Sequence, residues 1–305
     1  GCDERQGPMT SDAAPIPVVD PRPASRFVCG EVRGGNEPIH ERIELPGIRG
    51  MLYSHPCRGA SGGDIHYLSV CGSGLIARVF LADVAGHGET IAAVGAEMHA
   101  HLRRSVDTID DRRVLSRLDR RLDRAGLDTM ATAAIATYYP PARRLTVGYA
   151  GHPPGWLYRG HDQRWTRLDG PATAPRAQRF LDLPLGTGLS PGFTRRRFQM
   201  SVGDRILLVT DGVLEAASRS GSEFGESGLE ALLRDGGEDL DTLDRRLLAA
   251  LRAHVGSHNL AQDDVTFFLG EFVPGPRGPA LWHVVRNRLL GRLVWRSVDS
   301  LPPQR

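Results

Sequence analysis

Lysine is absent from this 305-residue chain, so every one of its 38 basic side chains is an arginine. The plain reading of that absence is a GC-rich genome rather than selection for guanidinium chemistry. Cysteine is scarce: Cys2, Cys29, Cys57 and Cys71 are scattered with no C-x-x-C pair. That excludes a zinc-ligand pattern and a disulfide framework, and suits a reducing, cytoplasmic setting. No apolar run reaches the roughly 18 residues a spanning helix needs. The formal net charge of +2 is too small for the whole molecule to bind polyanions, so no nucleic-acid partner is expected. There is no internal repeat and no low-complexity tract.

What is present is ordinary for a globular chain with a sizeable core: 40% hydrophobic and 24% charged residues. The charge is unevenly placed. Residues 277–305 hold six arginines and one acid, Asp299, a net of +5. The other 276 residues carry 32 basic and 35 acidic side chains. Residues 1–41, with Pro8, Pro15, Pro17, Pro21, Pro23 and Pro38, read as a Pro-rich flexible leader. The core domain is drawn over 42–273. Residues 274–305 form a basic tail expected to be helical. On a helical wheel Arg288, Arg292 and Arg296 interrupt Leu281, Val285 and Leu289, which breaks the apolar stripe a membrane-surface helix requires. A docking or homodimerising segment is therefore preferred over membrane contact.

Hydrophobic periodicity orders the core. Ile65–Cys71 and Leu75–Asp83 are β-type runs joined by Gly72-Ser73-Gly74, a hairpin signal. Ile91, Val94, Met98, Leu102 and Val106 share one helical face. A second helix is expected to bury Val114, Leu118, Leu122 and Ala125 and to stop at Gly126. Its outer face, with Arg112, Arg113, Arg117, Arg120, Arg121 and Arg124 among Asp119 and Asp123, reads as solvated with local ion pairs. Hairpins follow over 131–150 and 155–168, then a Gly/Pro-rich connection over 169–192. Strands at 195–200 and 205–210 come next, then helices at 229–233 and 240–255 and a last strand at 265–273. Consecutive strands with helices in two blocks, rather than alternating βαβ, predict an α+β layered domain.

Four acidic spots sit at the ends of these apolar strands: Asp64 after Gly62-Gly63, Asp83 before Val84-Ala85-Gly86-His87-Gly88, Asp211 after Ile206–Thr210, and Asp263-Asp264 before Val265. An Asp after a strand often only caps a turn. Several such residues at one rim suit hard cations, which take oxygen ligands. Like charges crowded there raise one another's pKa unless cations intervene.

The stretches Gly62-Gly63-Asp64, Asp83–Gly88, Ala150-Gly151-His152-Pro153-Pro154, Leu183–Gly186, Gly203-Asp204, Leu207–Ala216, Phe224-Gly225 and Asp263–Thr266 occur in that order. Together they resemble the SpoIIE-like (RsbU-like) branch of the PPM-type metal-dependent serine/threonine phosphatases, over about residues 60–272. The resemblance implies an αββα sandwich, with two antiparallel sheets face to face and helices on both outer faces. It also implies two Mn²⁺ or Mg²⁺ ions held by Asp64, Asp83, the Val84 carbonyl, Asp211 and Asp263, with Asp264 the second choice for the last role. A water shared by the ions would attack the phosphoester as hydroxide. Asp83 and His87 are the catalytic expectations, His87 as proton donor to the departing serine oxygen. Many relatives carry an acid where this chain has Tyr67, so a different water network is expected there. His152 is expected to be structural. The implied partner is a phosphorylated anti-sigma-factor antagonist in a bacterial partner-switching pathway. The alternative function is a non-catalytic pseudophosphatase that binds a signalling partner. A diguanylate-cyclase reading of Gly62-Gly63-Asp64 fails, because Ile65-His66 follows where Glu-Phe is needed.

Overall fold

The computed structural model describes residues 21–57, 60–86, 88–126, 129–168, 182–190, 192–234, 237–256 and 263–276. Two sheets face each other. The first runs in the order β1 (Arg22–Arg26), β3 (Ile39–Leu45), β4 (Ile48–His55), β13 (Val265–Phe272), β12 (Arg205–Val209), β9 (Trp156–Arg159) and β10 (Arg164–Arg167). The second runs β11 (Arg196–Gln199), β8 (Arg144–Ala150), β7 (Ala131–Tyr139), β6 (Ala77–Val84), β5 (Asp64–Val70) and β2 (Val32–Gly35). Helices α1 (Glu89–Arg104) and α2 (Asp111–Ala125) cover the second sheet. The short α3 (Asp211–Leu214), with α4 (Gly225–Leu233) and α5 (Leu240–Val255), covers the first. This is the expected αββα sandwich.

Strand alternation builds the three apolar layers. Leu52, Leu208 and Phe268 of the first sheet meet Leu68, Val79, Leu81 and Val147 of the second in the inter-sheet core. The opposite faces of the same strands turn outward. Leu207, Phe267 and Leu269 pack on Leu243, Leu247 and Leu251 of α5. Phe80, Ala82 and Ile135 pack on Val94, Met98, Leu118 and Leu122 of α1 and α2. Local signals fix the helix ends. The Asp110 carboxylate accepts from the Arg112 N–H at 3.3 Å, and Gly126 closes α2 in the left-handed conformation at φ 62°.

The structure departs from the sequence reading in four places. The ordered fold begins well before residue 42, since β1, β2 and the start of β3 lie inside the stretch read as leader. Pro23 sits in β1, an edge strand, where a missing backbone donor is harmless. The stretch after Arg42, which has no clear periodicity, is the β3–β4 hairpin turning at Pro46-Gly47. β1 pairs parallel to β3, so the first sheet is not wholly antiparallel. The runs at 195–200 and 205–210 belong to different sheets: β11 lies on β8, and β12 on β13 and β9. Residues 1–20 and the basic tail from 277 lie outside the described residues.

Candidate metal centre

The hairpin β5–β6 sets Asp64 directly opposite Asp83. Both share the strand parity of Leu68, Val79 and Leu81, so both belong to the inter-sheet side, beyond the end of its apolar core. From the other sheet, β12 ends at Val209 and releases Asp211 into the first turn of α3, while Asp263 and Asp264 enter β13 beside it. Thr210 ties the two sheets together at this end. Its hydroxyl donates to Asp64 Oδ2 at 2.7 Å, and its backbone N–H donates to the Thr266 carbonyl at 2.9 Å. A hydrogen bond to a buried carboxylate is worth about 1.5–3 kcal/mol.

The oxygens converge. A Cβ added to Gly63 would lie 3.0 Å from the Val84 carbonyl oxygen, 3.2 Å from Asp83 Oδ1 and 3.5 Å from Asp264 Oδ2. Asp263, Asp264 and Cys57 also bring ligand-type atoms within 4.8 Å of one another. The Cys57 sulfur is engaged in a disulfide and so offers no thiolate, a pairing the scattered cysteine pattern did not predict. The set that remains is carboxylate and carbonyl oxygen, the donor chemistry of Mg²⁺ and Mn²⁺.

Electrostatics agree with that fit. Burial, then the neighbouring Asp83, drives the Asp64 carboxyl well above its usual range, against the hydrogen bond from Thr210. Burial, followed by Asp211, Asp263 and Asp264, pushes Asp83 up to about 7. Asp211 is raised by burial and by Asp263. Among the described residues no arginine or histidine forms an ion pair with Asp64, Asp83, Asp211 or Asp263. Several anions held together with no arginine or histidine paired to them among the described residues suit a site that takes bound cations.

Asp264 differs from its neighbour. Its Oδ1 accepts the Cys57 N–H at 2.6 Å, and its Oδ2 accepts the N–H groups of Gly63 and, at 3.2 Å, Asp64. Oδ1 holds the chain just after β4 and Oδ2 holds the Gly62–Asp64 turn, so both oxygens are spent. Among the described residues, Asp263 accepts only the adjacent Asp264 N–H, on Oδ1 at 2.9 Å. The glycines of the two motifs have a steric reason as well. A Cβ on Gly62 would fall 2.2 Å from Asp264 Oδ2, and one on Gly212 would fall 1.9 Å from the Asp264 carbonyl oxygen. Because Asp264 is pinned by backbone donors, Gly62→Ala is expected to destabilise the fold by about 1–3 kcal/mol. Urea denaturation measures this, and an unchanged midpoint would show the turn to be more yielding than the geometry implies.

The structure thus brings Asp64, Asp83, Val84, Asp211 and Asp263 to one rim, and places Asp264 beneath it. His87 lies outside the described residues. Tyr67 points away from the rim, its hydroxyl donating to the Gly95 carbonyl of α1 at 2.9 Å. His152 is buried, with Nδ1 2.9 Å from the Thr132 hydroxyl, and burial pushes its pKa down to about 3. Thr132 is the residue opposite Asp83 on β7, so this histidine braces the strand end. Two features went unremarked in the sequence. Asn36 Nδ2 donates to the Gly62 carbonyl at 2.8 Å and clamps the turn from the β2–β3 loop. Glu215, four residues after Asp211 and so on the same helical face, has its carboxyl raised by burial, then by Asp211 and Asp263. The i,i+4 spacing was the signal that could have found it.

No helix among the described residues is long and apolar enough to cross a membrane. In comparisons with solved structures, the chain is similar to the RsbU and RsbW domains of a Mycobacterium tuberculosis protein, with 21% identity, TM-score 0.61, and 88% of this chain and 72% of that one covered. It is similar to the PP2C phosphatase domain of SpoIIE from Bacillus subtilis, with 15% identity, TM-score 0.59, and coverage of 80% and 62%. It is also similar to RsbX crystallised with magnesium, with 16% identity, TM-score 0.56, and coverage of 76% and 99%. At these identities the likeness establishes the fold. The family model for Stage II sporulation protein E matches residues 76–272, a span that takes in Asp83, Asp211 and Asp263, and by that match the chain belongs to the SpoIIE family.

Proposed function

We propose that this chain is a metal-dependent protein phosphatase that hydrolyses phosphoserine and phosphothreonine. The observation that carries the reading is the convergence of Asp64, Asp83, Asp211 and Asp263 with the Val84 carbonyl, unneutralised by any basic side chain among the described residues. These groups would hold two Mn²⁺ or Mg²⁺ ions, which when bound polarise a phosphoryl oxygen and acidify a coordinated water. The chain's own contribution is placement. Asp83 faces Asp64 across the hairpin, Thr210 fixes the orientation of Asp64, and Asp264 anchors the turn that carries it. His87 is the proposed proton donor to the departing serine oxygen. An imidazole titrates in the right range for that step.

The proposed substrate is a phosphorylated anti-sigma-factor antagonist, by resemblance to the partner-switching branch of the family. That substrate class implies a cytoplasmic site of action, and the Cys57 disulfide is the feature that runs against it. The tail from residue 277 is proposed as a docking or self-association segment. The test is a Mn²⁺ titration of hydrolysis of p-nitrophenyl phosphate and of phosphoserine and phosphotyrosine peptides. Saturable Mn²⁺-dependent turnover with preference for phosphoserine, abolished by EDTA and restored by Mn²⁺, is expected. Binding of Mn²⁺ without turnover of any of the three would favour the pseudophosphatase instead.

A further inference from the structure

The outer face of α2 carries the local ion pairs its sequence suggested only at its N-terminal end, where Arg112 and Arg113 reach Asp110. Two of the three acids of this helix, Asp111 and Asp119, are committed elsewhere. Asp111 is buried and accepts the Thr137 and Thr146 hydroxyls at 2.6 and 2.5 Å. Asp119 accepts the Gly186 N–H at 2.9 Å. Asp110 caps the helix. At 3.6 residues per turn, Arg113, Arg117, Arg120, Arg121 and Arg124 fall within an arc of about 100°. Arg121 pairs with Glu97, and Arg113 reaches Asp110 at 3.8 Å. Arg117, Arg120 and Arg124, with Arg104 of α1, form no ion pair among the described residues.

Arg104, Arg117, Arg120, Arg121 and Arg124 line a groove of about 560 Å³ between α1 and α2, with Glu97 its one acid among the described residues. Their field is felt within it: burial, reinforced by Arg121, Arg117 and Arg104, lowers the pKa of His101. Like charges three or four residues apart weaken a helix, so this arrangement costs stability that a partner would return. The stripe runs towards the metal-centre rim. Just past the end of α2, the Thr129 hydroxyl donates to the carbonyl of Ala85, two residues beyond Asp83.

We propose that the α1–α2 groove docks an acidic segment of a protein partner, beside the metal centre. Charge complementarity selects the occupant: five arginines face one glutamate. Within the groove the stripe from Arg117 to Arg124 rises about 10 Å, matching two turns of a helix. The groove offers no aromatic ring on which a nucleic-acid base could stack. This inference stands apart from the phosphatase reading, since it concerns binding alone.

The experiment measures fluorescence anisotropy of a labelled twelve-residue Glu/Ala helical peptide on the full-length protein, without metal. Arg117→Glu/Arg120→Glu is expected to weaken binding about tenfold or more, and added salt to weaken the parent in step. Arg164→Glu, an exposed arginine on β10 far from the groove, is expected to change affinity less than about twofold. Thermal melts should show the double variant at least as stable as the parent. If it unfolds instead, Arg117→Gln/Arg120→Gln takes its place with the same expectation in a smaller amount. Equal weakening by Arg164→Glu, no weakening by the groove variants, or tighter parent binding to a 20-base-pair duplex or to phosphatidylserine vesicles than to the peptide would overturn the proposal.

Discussion

Asp83→Asn is expected to lower Mn²⁺-dependent hydrolysis of p-nitrophenyl phosphate by about 10²–10⁴-fold while making the metal-free protein more stable at pH 8. The two effects share one cause. Burial, then Asp211, Asp263 and Asp264, raises the folded-state pKa of Asp83 to about 7, whereas an unfolded aspartate titrates near 3.9. The folded form therefore holds its proton more tightly than the unfolded chain. Ionising the carboxyl costs the fold nothing below about pH 4, increasingly more between pH 4 and 7, and a constant amount above that. Metal-free parent should accordingly lose stability as pH rises through this window, by roughly 2–4 kcal/mol from this side chain. Asparagine keeps the shape and discards the charge, so its metal-free stability should fall less over the same window, the remaining fall coming from Asp64 and Asp211. At pH 4 the two proteins should be alike. Divalent cations displace the retained proton, so Mn²⁺ affinity of the parent should fall as pH drops below about 7. Urea melts of parent and variant at pH 4, 6 and 8, with and without EDTA, separate these outcomes. A variant that keeps its activity, or that is less stable than the parent at pH 8, would remove Asp83 from the centre of the site.

The legible parts of this chain were those where one local rule decides. Alternation in Ile65–Cys71 and Leu75–Asp83 with a Gly-Ser-Gly turn fixes both the hairpin and the facing of Asp64 on Asp83. The apolar face of α2 and its Gly126 stop locate that helix and its C-terminal end. What stayed hidden depends on partners distant in sequence. Pro23 reads as disorder until a sheet edge is there to receive it. β11 and β12 look like a hairpin's two arms, yet only the far strands β8 and β13 tell them apart. Thr210 reaches Asp64 across 146 residues, and no spacing rule connects them. The arginines of α2 looked neutralised because Asp119 and Asp123 stand next to them in sequence. Adjacent residues on a helix point about 100° apart, and Asp119 turns inward to the Gly186 backbone.

The neighbours Asp263 and Asp264 pose the sharpest case, since the sequence offers two carboxylates for one role. Successive residues entering a strand project to opposite sides, so they cannot do the same work. Asp264 is buried and accepts three backbone N–H groups, from Cys57, Gly63 and Asp64. Removing that carboxylate strands three donors at about 1–3 kcal/mol each, offset in part by relief of its repulsion with Asp64 and Asp83. Asp264→Ala is therefore expected to cost about 3–5 kcal/mol of stability, enough to unfold much of a marginal domain. Asp264→Asn, which keeps one acceptor oxygen, should fall between it and the parent. Asp263→Asn should leave stability within about 1 kcal/mol, because its carboxylate has only a local backbone partner. Its loss should appear instead in metal binding, with Mn²⁺ affinity for activation reduced about tenfold or more. Denaturation midpoints set against Mn²⁺ titrations for the three variants resolve the assignment. If Asp264→Asn weakens Mn²⁺ binding without moving the midpoint while Asp263→Asn does the reverse, the two roles are exchanged and Asp264 is the ligand.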